Sequence, residues 1–237
     1  YLFDILDSNA IETVLMQYHH GKTICVSSQV GCKMGCKFCA STGIPFVRSL
    51  TAGEIVEQIL AVEQDTGEKI SNIVFMGIGE PFDNYDNVLS FIRILNSPFA
   101  LDIGARHITV STCGVVPSIL RFGKEGLQVN LAISLHAPTN ELRDKLMPIN
   151  KAYPLEKLIP AIIQYGNDSN GRRVTFEYIL IKGVNDSIED AKKLERLIRP
   201  TFGYVNLIPY NPVVENGYER ADNESVTLFH NCLLSKK

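Results

Sequence analysis

The sequence predicts an α/β protein built from parallel βαβ units, and three observations carry that reading. Short apolar runs rich in β-branched residues alternate with longer amphipathic segments along most of the chain. Turn residues punctuate them at regular intervals, with no internal repeat and no low-complexity linker. At 237 residues and 45% apolar content, the chain can bury one large core or two small ones.

Taken in order, Ile11–Met16 and Thr23–Gln29 read as an extended pair, with His19-His20-Gly21-Lys22 as the polar turn between them. A cysteine-rich loop follows. Thr51-Ala52-Gly53-Glu54 then supplies a capping box for a helix to about Gln64, with Ile55, Val56, Ile59 and Leu60 as its buried face. Asn72–Met76 reads as a buried strand, Asn87–Leu95 as a helix and His107–Ser111 as a strand. A short helix after Pro117 leads to the strand Val129–Leu135. Helices near Asn140–Leu146 and Leu155–Tyr165 come next, and Pro160 is placed to kink the second. Arg173–Ile181 is a strand, Ser187–Ile198 a helix, Val205–Tyr210 a strand, and a last helix runs from about Glu224 to the end. This gives about six units, which suit either a doubly wound sheet or an incomplete barrel; in both, ligands gather at the carboxyl ends of the strands.

Composition narrows the function classes. The net charge of −3 predicts no polyanion partner by itself. Acids at Asp4 and Asp7 and the lack of a long apolar run speak against a signal peptide. No stretch approaches the ~20 apolar residues of a membrane span. Of the cysteines Cys25, Cys32, Cys36, Cys39, Cys113 and Cys232, most are bunched, which suits metal chemistry in a reducing compartment. The expectation is a cytoplasmic protein.

Chemistry concentrates in Gly31-Cys32-Lys33-Met34-Gly35-Cys36-Lys37-Phe38-Cys39. The spacing C-x₃-C-x₂-C offers three thiolates from one loop, and thiolates favour iron–sulfur clusters and zinc. A structural zinc site wants four protein ligands, whereas a cubane cluster on three thiolates leaves one iron open. The spacing resembles the signature of the radical S-adenosylmethionine (SAM) superfamily, which implies that SAM's amino and carboxylate groups chelate that iron. Met76-Gly77-Ile78-Gly79-Glu80-Pro81 ends the next strand; its glycines permit close backbone approach, and its carboxylate can accept from an ammonium group. By the same resemblance it holds SAM's amino group, and Phe38 lies near the adenine.

Five segments together are more specific: Cys25–Cys32, Met76–Pro81, Ser111–Pro117, Ile133–Pro138 and Asn206–Pro212. In order and register they resemble the RlmN family of dual-specificity RNA adenine-C2 methyltransferases, from about Glu12 to Pro212. The resemblance implies an incomplete (β/α)6 TIM-type barrel of the radical SAM kind, with residues 1–30 as an N-terminal β extension and 31–237 as the catalytic domain. It implies that Cys32, Cys36 and Cys39 ligate a [4Fe-4S] cluster, and that Gly79, Glu80, Ser111, Ser134, Leu135, His136 and Asn211 bind SAM. Glu12 takes the place of the proton acceptor. Cys25 takes that of the cysteine that resolves the enzyme–RNA adduct through a transient disulfide, and Cys113 is left as structural. Two SAM molecules per turnover, 23S rRNA and tRNA as substrates, a flavodoxin-like electron donor and a monomer are further implications.

One departure is serious. The family carries a methyl on a cysteine in an Ala-Cys-Gly-Gln-Leu segment, and Asn231-Cys232-Leu233-Leu234 does not match it. The family's small N-terminal RNA-binding domain is also missing from the sequence. The chain is therefore expected to be the catalytic core of a longer protein, binding cluster and SAM without completing methyl transfer. Two rival readings are a C8 methyltransferase of the related Cfr type and a non-catalytic metal-bearing RNA-binding module. Lys33, Lys37, Arg48, Arg106, His107, Arg143 and Lys145 are expected in or near the loops at the active face, where a few could neutralise phosphates.

Overall fold

The computed structural model describes residues 1–19 and 21–235. His20, in the expected turn, and Lys236 and Lys237, at the end of the expected last helix, lie outside the described residues. The strands are β1 (Leu2–Asp4), β2 (Ala10–Glu12), β3 (Val14–Tyr18), β4 (Gly21–Cys25), β5 (Gln29–Val30), β6 (Arg48–Ser49), β7 (Asn72–Phe75), β8 (Ile108–Thr112), β9 (Asn130–Ser134), β10 (Val174–Leu180) and β11 (Gly203–Pro209). The helices are α1 (Ala52–Thr66), α2 (Tyr85–Asn96), α3 (Val116–Gly123), α4 (Asn140–Leu146), α5 (Leu155–Asp168), α6 (Ile188–Ile198) and α7 (Asn223–Leu234). From β4 onward, strands β4, β7, β8, β9, β10 and β11 are each followed by helix, giving the six units expected among the described residues.

The chain divides into two compact units. The first comprises Tyr1–Lys33, Ser41–Thr112 and Leu127–Leu131. Its sheet runs β8-β7-β4-β3. The β4–β7 and β7–β8 pairs are parallel, with Cys25 opposite Val74 and Phe75 opposite Val110, while β3–β4 is antiparallel. Ile24, Ile73, Phe75, Ile108 and Val110 from the sheet are buried, as are Ile55, Ile59 and Val62 of α1 and Phe91, Ile92 and Leu95 of α2. Phe75 and Phe91 meet edge to face at 5.1 Å, the geometry aromatic quadrupoles favour.

Two expectations are corrected in this unit. The extended segment Ile11–Met16 is not one strand: Thr13 interrupts it, so that β2 pairs with β1 and β3 with β4. Thr13 is buried: its backbone N–H donates to Tyr1 O at 3.0 Å and its carbonyl accepts from the Tyr1 amine at 2.8 Å, so it still faces β1, while its hydroxyl donates to Gln58 Oε1 at 2.6 Å. The turn is also shorter than read, because Lys22 already pairs with Gln17. The Thr51 capping box with Glu54 forms as expected. The buried face of α1, however, is Ile55, Gln58, Ile59 and Val62; Val56 is half-buried and Leu60 exposed. Steps of four and three residues from Ile55 to Ile59 to Val62 keep one stripe inward, and Leu60 lies off it.

The second unit comprises Met34–Ala40, Cys113–Gly126 and the chain from Ala132 onward. Here β10 and β11 pair in parallel, from Val174 opposite Gly203 to Leu180 opposite Pro209. Phe176, Tyr178 and Leu180 are buried on one face of β10, and Tyr178 meets Phe229 of α7 at 5.3 Å. Helices α3 and α5 pack together, with the Phe122 and Tyr165 rings stacked at 6.3 Å. Pro160 lies inside α5, which runs through it to Asp168.

Candidate active site

In the first unit, two of the motifs prove to be one piece of structure. The chain leaving β4, Val26–Gln29, zips against the segment leaving β7, Gly77–Glu80. Val26 N–H donates to Val74 O, Gly77 N–H to Val26 O, Ile78 N–H to Ser27 Oγ, and Ser28 and Gln29 N–H to Ile78 O, all between 2.9 and 3.2 Å. Glu80 N–H closes the run on Gln29 Oε1 at 2.9 Å. The approach is so close that a Cβ on Gly77 would stand 2.7 Å from Val26 O. One on Gly79, at φ +107°, would stand 2.7 Å from Ser28 Oγ. Only glycine satisfies both demands at Gly79.

Glu80 is buried, and its Oε1 accepts from Phe82 N–H at 2.9 Å, capping a short 3₁₀ turn. Cys25 ends β4; burial pushes its thiol up, opposed in part by a hydrogen bond from the Met76 backbone. The exposed Glu12 ends β2, and its carbonyl accepts from Ser27 Oγ at 2.6 Å. Ser111 is buried on β8, one step beyond the Val110–Phe75 pair. Cys32 lies here too, its N–H directed at Ile44 O at 3.4 Å.

In the second unit, His136 follows β9 in a left-handed conformation, φ +55°. Leu135 and His136 N–H both donate to Glu177 O, and His136 Nδ1 accepts from Ile179 N–H at 3.1 Å. A backbone donor on Nδ1 leaves the neutral imidazole with its proton on Nε2. Burial, seconded by the Arg143 charge, lowers the ring to about 3. Phe38 meets it edge-on at 4.7 Å. Asn185 pins the turn from below: its Nδ2 donates to His136 O and Ile179 O, and its Oδ1 accepts from Ile181 N–H.

Arg143 corrects the sequence reading most sharply. Expected at an RNA-facing surface, it is wholly buried. Its guanidinium donates to Leu135 O, Ser134 O, Cys113 O and Asn150 Oδ1 at 2.7–3.2 Å, tying α4 to the end of β9. Burial draws it down to about 10, so it stays charged at neutral pH, supported by Cys113, Cys36 and Asp144. Its one sequence signal is its position three residues before buried Leu146 on α4. Cys113 is buried, as befits a structural role. Cys36 and Cys39 lie in this unit, with Cys39 N–H on Cys36 O at 3.1 Å and Lys37 N–H on Leu146 O at 2.9 Å. Asn211 is exposed on the turn after β11. Gln58, Ser27, Asn185 and Glu177 also escaped the sequence reading, since a buried amide, hydroxyl or acid has no periodic signal of its own.

Arg106 and His107 also differ from expectation, and Lys33, Arg48 and Lys145 are held in ion pairs. Arg106 and His107 precede β8, at its amino end rather than its carboxyl end, and bind Gln128 and Asn72. Arg48 is clamped between Asp7 and Glu54, and it holds both carboxyls down at about 2. Lys33 pairs with Asp83 at 2.8 Å and lies over the Phe46 ring, while Lys145 pairs with Glu141.

The donor set suits a soft metal centre: Cys32, Cys36 and Cys39 are all half-buried thiols, and no disulfide joins any of the six cysteines. Among the described residues no three His, Cys, Asp or Glu side chains are grouped as metal ligands. Among those residues, too, no helix is long and apolar enough to cross a membrane.

The Radical SAM superfamily pattern matches residues 26–194. A protein of Geobacillus kaustophilus named "Probable dual-specificity RNA methyltransferase RlmN" is 55% identical over 98% of this chain, which spans 64% of that protein's length. A Clostridium novyi protein of the same name is 50% identical over 99% of the chain and 68% of its own length. The crystal structure of a radical SAM methyltransferase from Sphaerobacter thermophilus is 47% identical and superimposes with a TM-score of 0.96 over 99% of this chain and 70% of that one. The fold class is thus α/β, the incomplete (β/α)6 barrel of the radical SAM kind. The chain belongs to the radical SAM superfamily and, within it, to the RlmN family.

Proposed function

We propose that the protein is a radical SAM methyltransferase that methylates C2 of adenine in 23S rRNA and tRNA through a methyl-cysteine intermediate. The observation that carries this reading is the zipped pair Val26–Gln29 and Gly77–Glu80, which runs directly into the three-cysteine loop. Cys32, Cys36 and Cys39 would hold a [4Fe-4S] cluster, which when bound supplies the electron that cleaves SAM. Glu80 offers a buried carboxylate to SAM's ammonium group, with Gly79 leaving the backbone open beside it. His136 offers an Nε2–H donor, and Ser111, Ser134, Leu135 and Asn211 complete the SAM contacts. Glu12 accepts the C2 proton, and Cys25 as thiolate attacks the sulfur of the methyl-carrying cysteine. The S–S bond forms as that sulfur's bond to the base-borne methylene breaks, and the carbon takes the electron pair and a proton to become the methyl group. The Cys25 thiol is pushed up by burial, so it rests protonated and must lose its proton before it attacks.

The target base leaves its stack to be reached. Residues 31–237 act as the catalytic domain and 1–30 as its β extension. The protein works in the cytoplasm as a monomer and takes electrons from a flavodoxin-like donor. The test is anaerobic reconstitution with iron and sulfide, an assay for 5′-deoxyadenosine release from SAM, and mass spectrometry of modified RNA. The reading requires SAM cleavage by this chain, and 2-methyladenosine from a chain that also carries the methyl-bearing cysteine. An 8-methyl product would assign the Cfr-type reaction, and a cluster-free zinc protein would leave only a binding module.

A further inference from the structure

We infer that Ser27 and Gln58 are positioning residues of the reaction, and that a single hydroxyl sets the RNA-side groups Glu12 and Cys25 against the SAM-binding segment Gly77–Glu80. The inference rests on the roles proposed above for those groups. Ser27 is wholly buried, and its Oγ lies between two of the motifs, donating to Glu12 O at 2.6 Å and accepting from Ile78 N–H at 3.1 Å. Its own backbone is gripped by the buried amide of Gln58. Oε1 accepts from Ser27 N–H at 2.9 Å, and Nε2 donates to Ser27 O at 3.0 Å. Gln58 Oε1 also accepts from Thr13 Oγ1 at 2.6 Å, beside Glu12, and Nε2 reaches Glu54 O at 3.4 Å. Every hydrogen-bonding position of the amide is used, as is the Ser27 proton, so the network has one arrangement.

The placement is informative because an apolar pair would pack α1 on the sheet equally well. A buried polar network that is fully satisfied specifies geometry more than it adds stability. Here it fixes the positions of the Glu12 carbonyl and the Ile78 amide on either side of one oxygen atom. Cys25, two residues before Ser27, receives a hydrogen bond from the Met76 backbone, two residues before Ile78. Movement of either strand end therefore reaches both the acceptor and the thiol.

The test uses the anaerobically reconstituted protein and compares Ser27→Ala, Gln58→Met and, as a stability control in the same unit, Phe91→Leu. Three quantities are read: thermal midpoint, SAM affinity by calorimetry, and the alkylation rate of Cys25 resolved by peptide mass spectrometry. Ser27→Ala is expected to keep cluster absorbance, weaken SAM binding about five- to tenfold and speed Cys25 alkylation severalfold. Phe91→Leu should lower the midpoint and move neither of the other two. If Ser27→Ala does not fold, Gln58→Met carries the same expectations. A drop in midpoint with SAM affinity and Cys25 alkylation unchanged would reduce both residues to packing and overturn the inference. Glu80→Gln, run alongside, separates the two levels: unchanged SAM affinity there sinks the reading of the site. Weakened affinity there with none in the Ser27 and Gln58 variants sinks only this inference.

Discussion

His136 Nδ1 accepts a hydrogen bond from the Ile179 amide at 3.1 Å, so a titratable ring is built into the join between the end of β9 and β10. A protonated imidazole would place an N–H against that N–H. The fold therefore selects the neutral form, and burial lowers the ring to about 3. Between pH 3 and the unfolded value of 6.5 the unfolded chain binds a proton that the folded one does not. Stability from this residue is complete above pH 6.5 and is lost as pH falls toward 3, at up to about 1.4 kcal/mol per pH unit. Acid denaturation of wild type and His136→Asn measures it: the wild-type curve is expected to be the steeper over that window. Parallel curves would mean that His136 does not carry the dependence.

Arg143 should be the least replaceable residue of α4. Arg143→Met leaves three backbone carbonyls and Asn150 without their donor. That loss is expected to cost about 3–5 kcal/mol, or roughly 6–20 °C in a chain of this size. Arg143→Lys cannot reproduce the planar fork and is expected to lose much of the same stability. Thermal melts decide, and a shift under about 2 °C for Arg143→Met would show that the network is dispensable.

The units from β7 to α7 were legible in the sequence because parallel strands buried on both faces read as apolar runs, and their helices carry amphipathic stripes. The cap at Thr51 was visible because its capping box is a local pattern. Legibility failed where long-range polar contacts override local pattern. The backbone changes partner at Thr13, which bonds Tyr1 while Val14 pairs with Cys25, and no local pattern announces that switch. Arg143 is buried because carbonyls from β9 and Cys113 converge on it, which no helical pattern announces. The motif residues were found by their shared register with a family, and the pairing of Cys25–Gln29 with Met76–Glu80 became visible only in three dimensions.

Glu80→Gln separates charge from shape. The amide oxygen can still accept from Phe82 N–H and keep the 3₁₀ cap, while the negative charge is gone. Losing a charge-assisted hydrogen bond to SAM's ammonium is expected to weaken binding about ten- to a hundredfold. Cluster absorbance and thermal midpoint should stay near wild type. Normal affinity with an intact cluster would mean the ammonium is held elsewhere.

Replacing Cys32, Cys36 or Cys39 by Ala should each abolish the visible iron–sulfur absorbance of the reconstituted protein. Three thiolates are the fewest that hold a cubane with one open iron, so two cannot substitute. Cys113→Ala and Cys232→Ala are the controls and should retain the absorbance, because Cys113 is packed in the core and Cys232 sits on α7. Metal analysis finding zinc alone in anaerobically purified protein would refute the assignment.

The position of each basic residue now sorts its expected effect on RNA. Arg106 stands at the amino end of β8, where its side chain binds Gln128 and its carbonyl accepts from Asn130. Lys37 is exposed on the three-cysteine loop itself. Removing one phosphate-neutralising charge from that loop should weaken RNA binding about equally for all sequences and lower the salt slope by roughly 0.7–0.9. Arg106→Ala is therefore expected to leave affinity and slope unchanged, while Lys37→Ala reduces both. Titrations of each variant with an rRNA fragment at several salt concentrations make the comparison. The reverse pattern would place the RNA at the amino ends of the strands, away from Glu12, Cys25 and Glu80, and would separate the RNA footprint from the site that is to act on it.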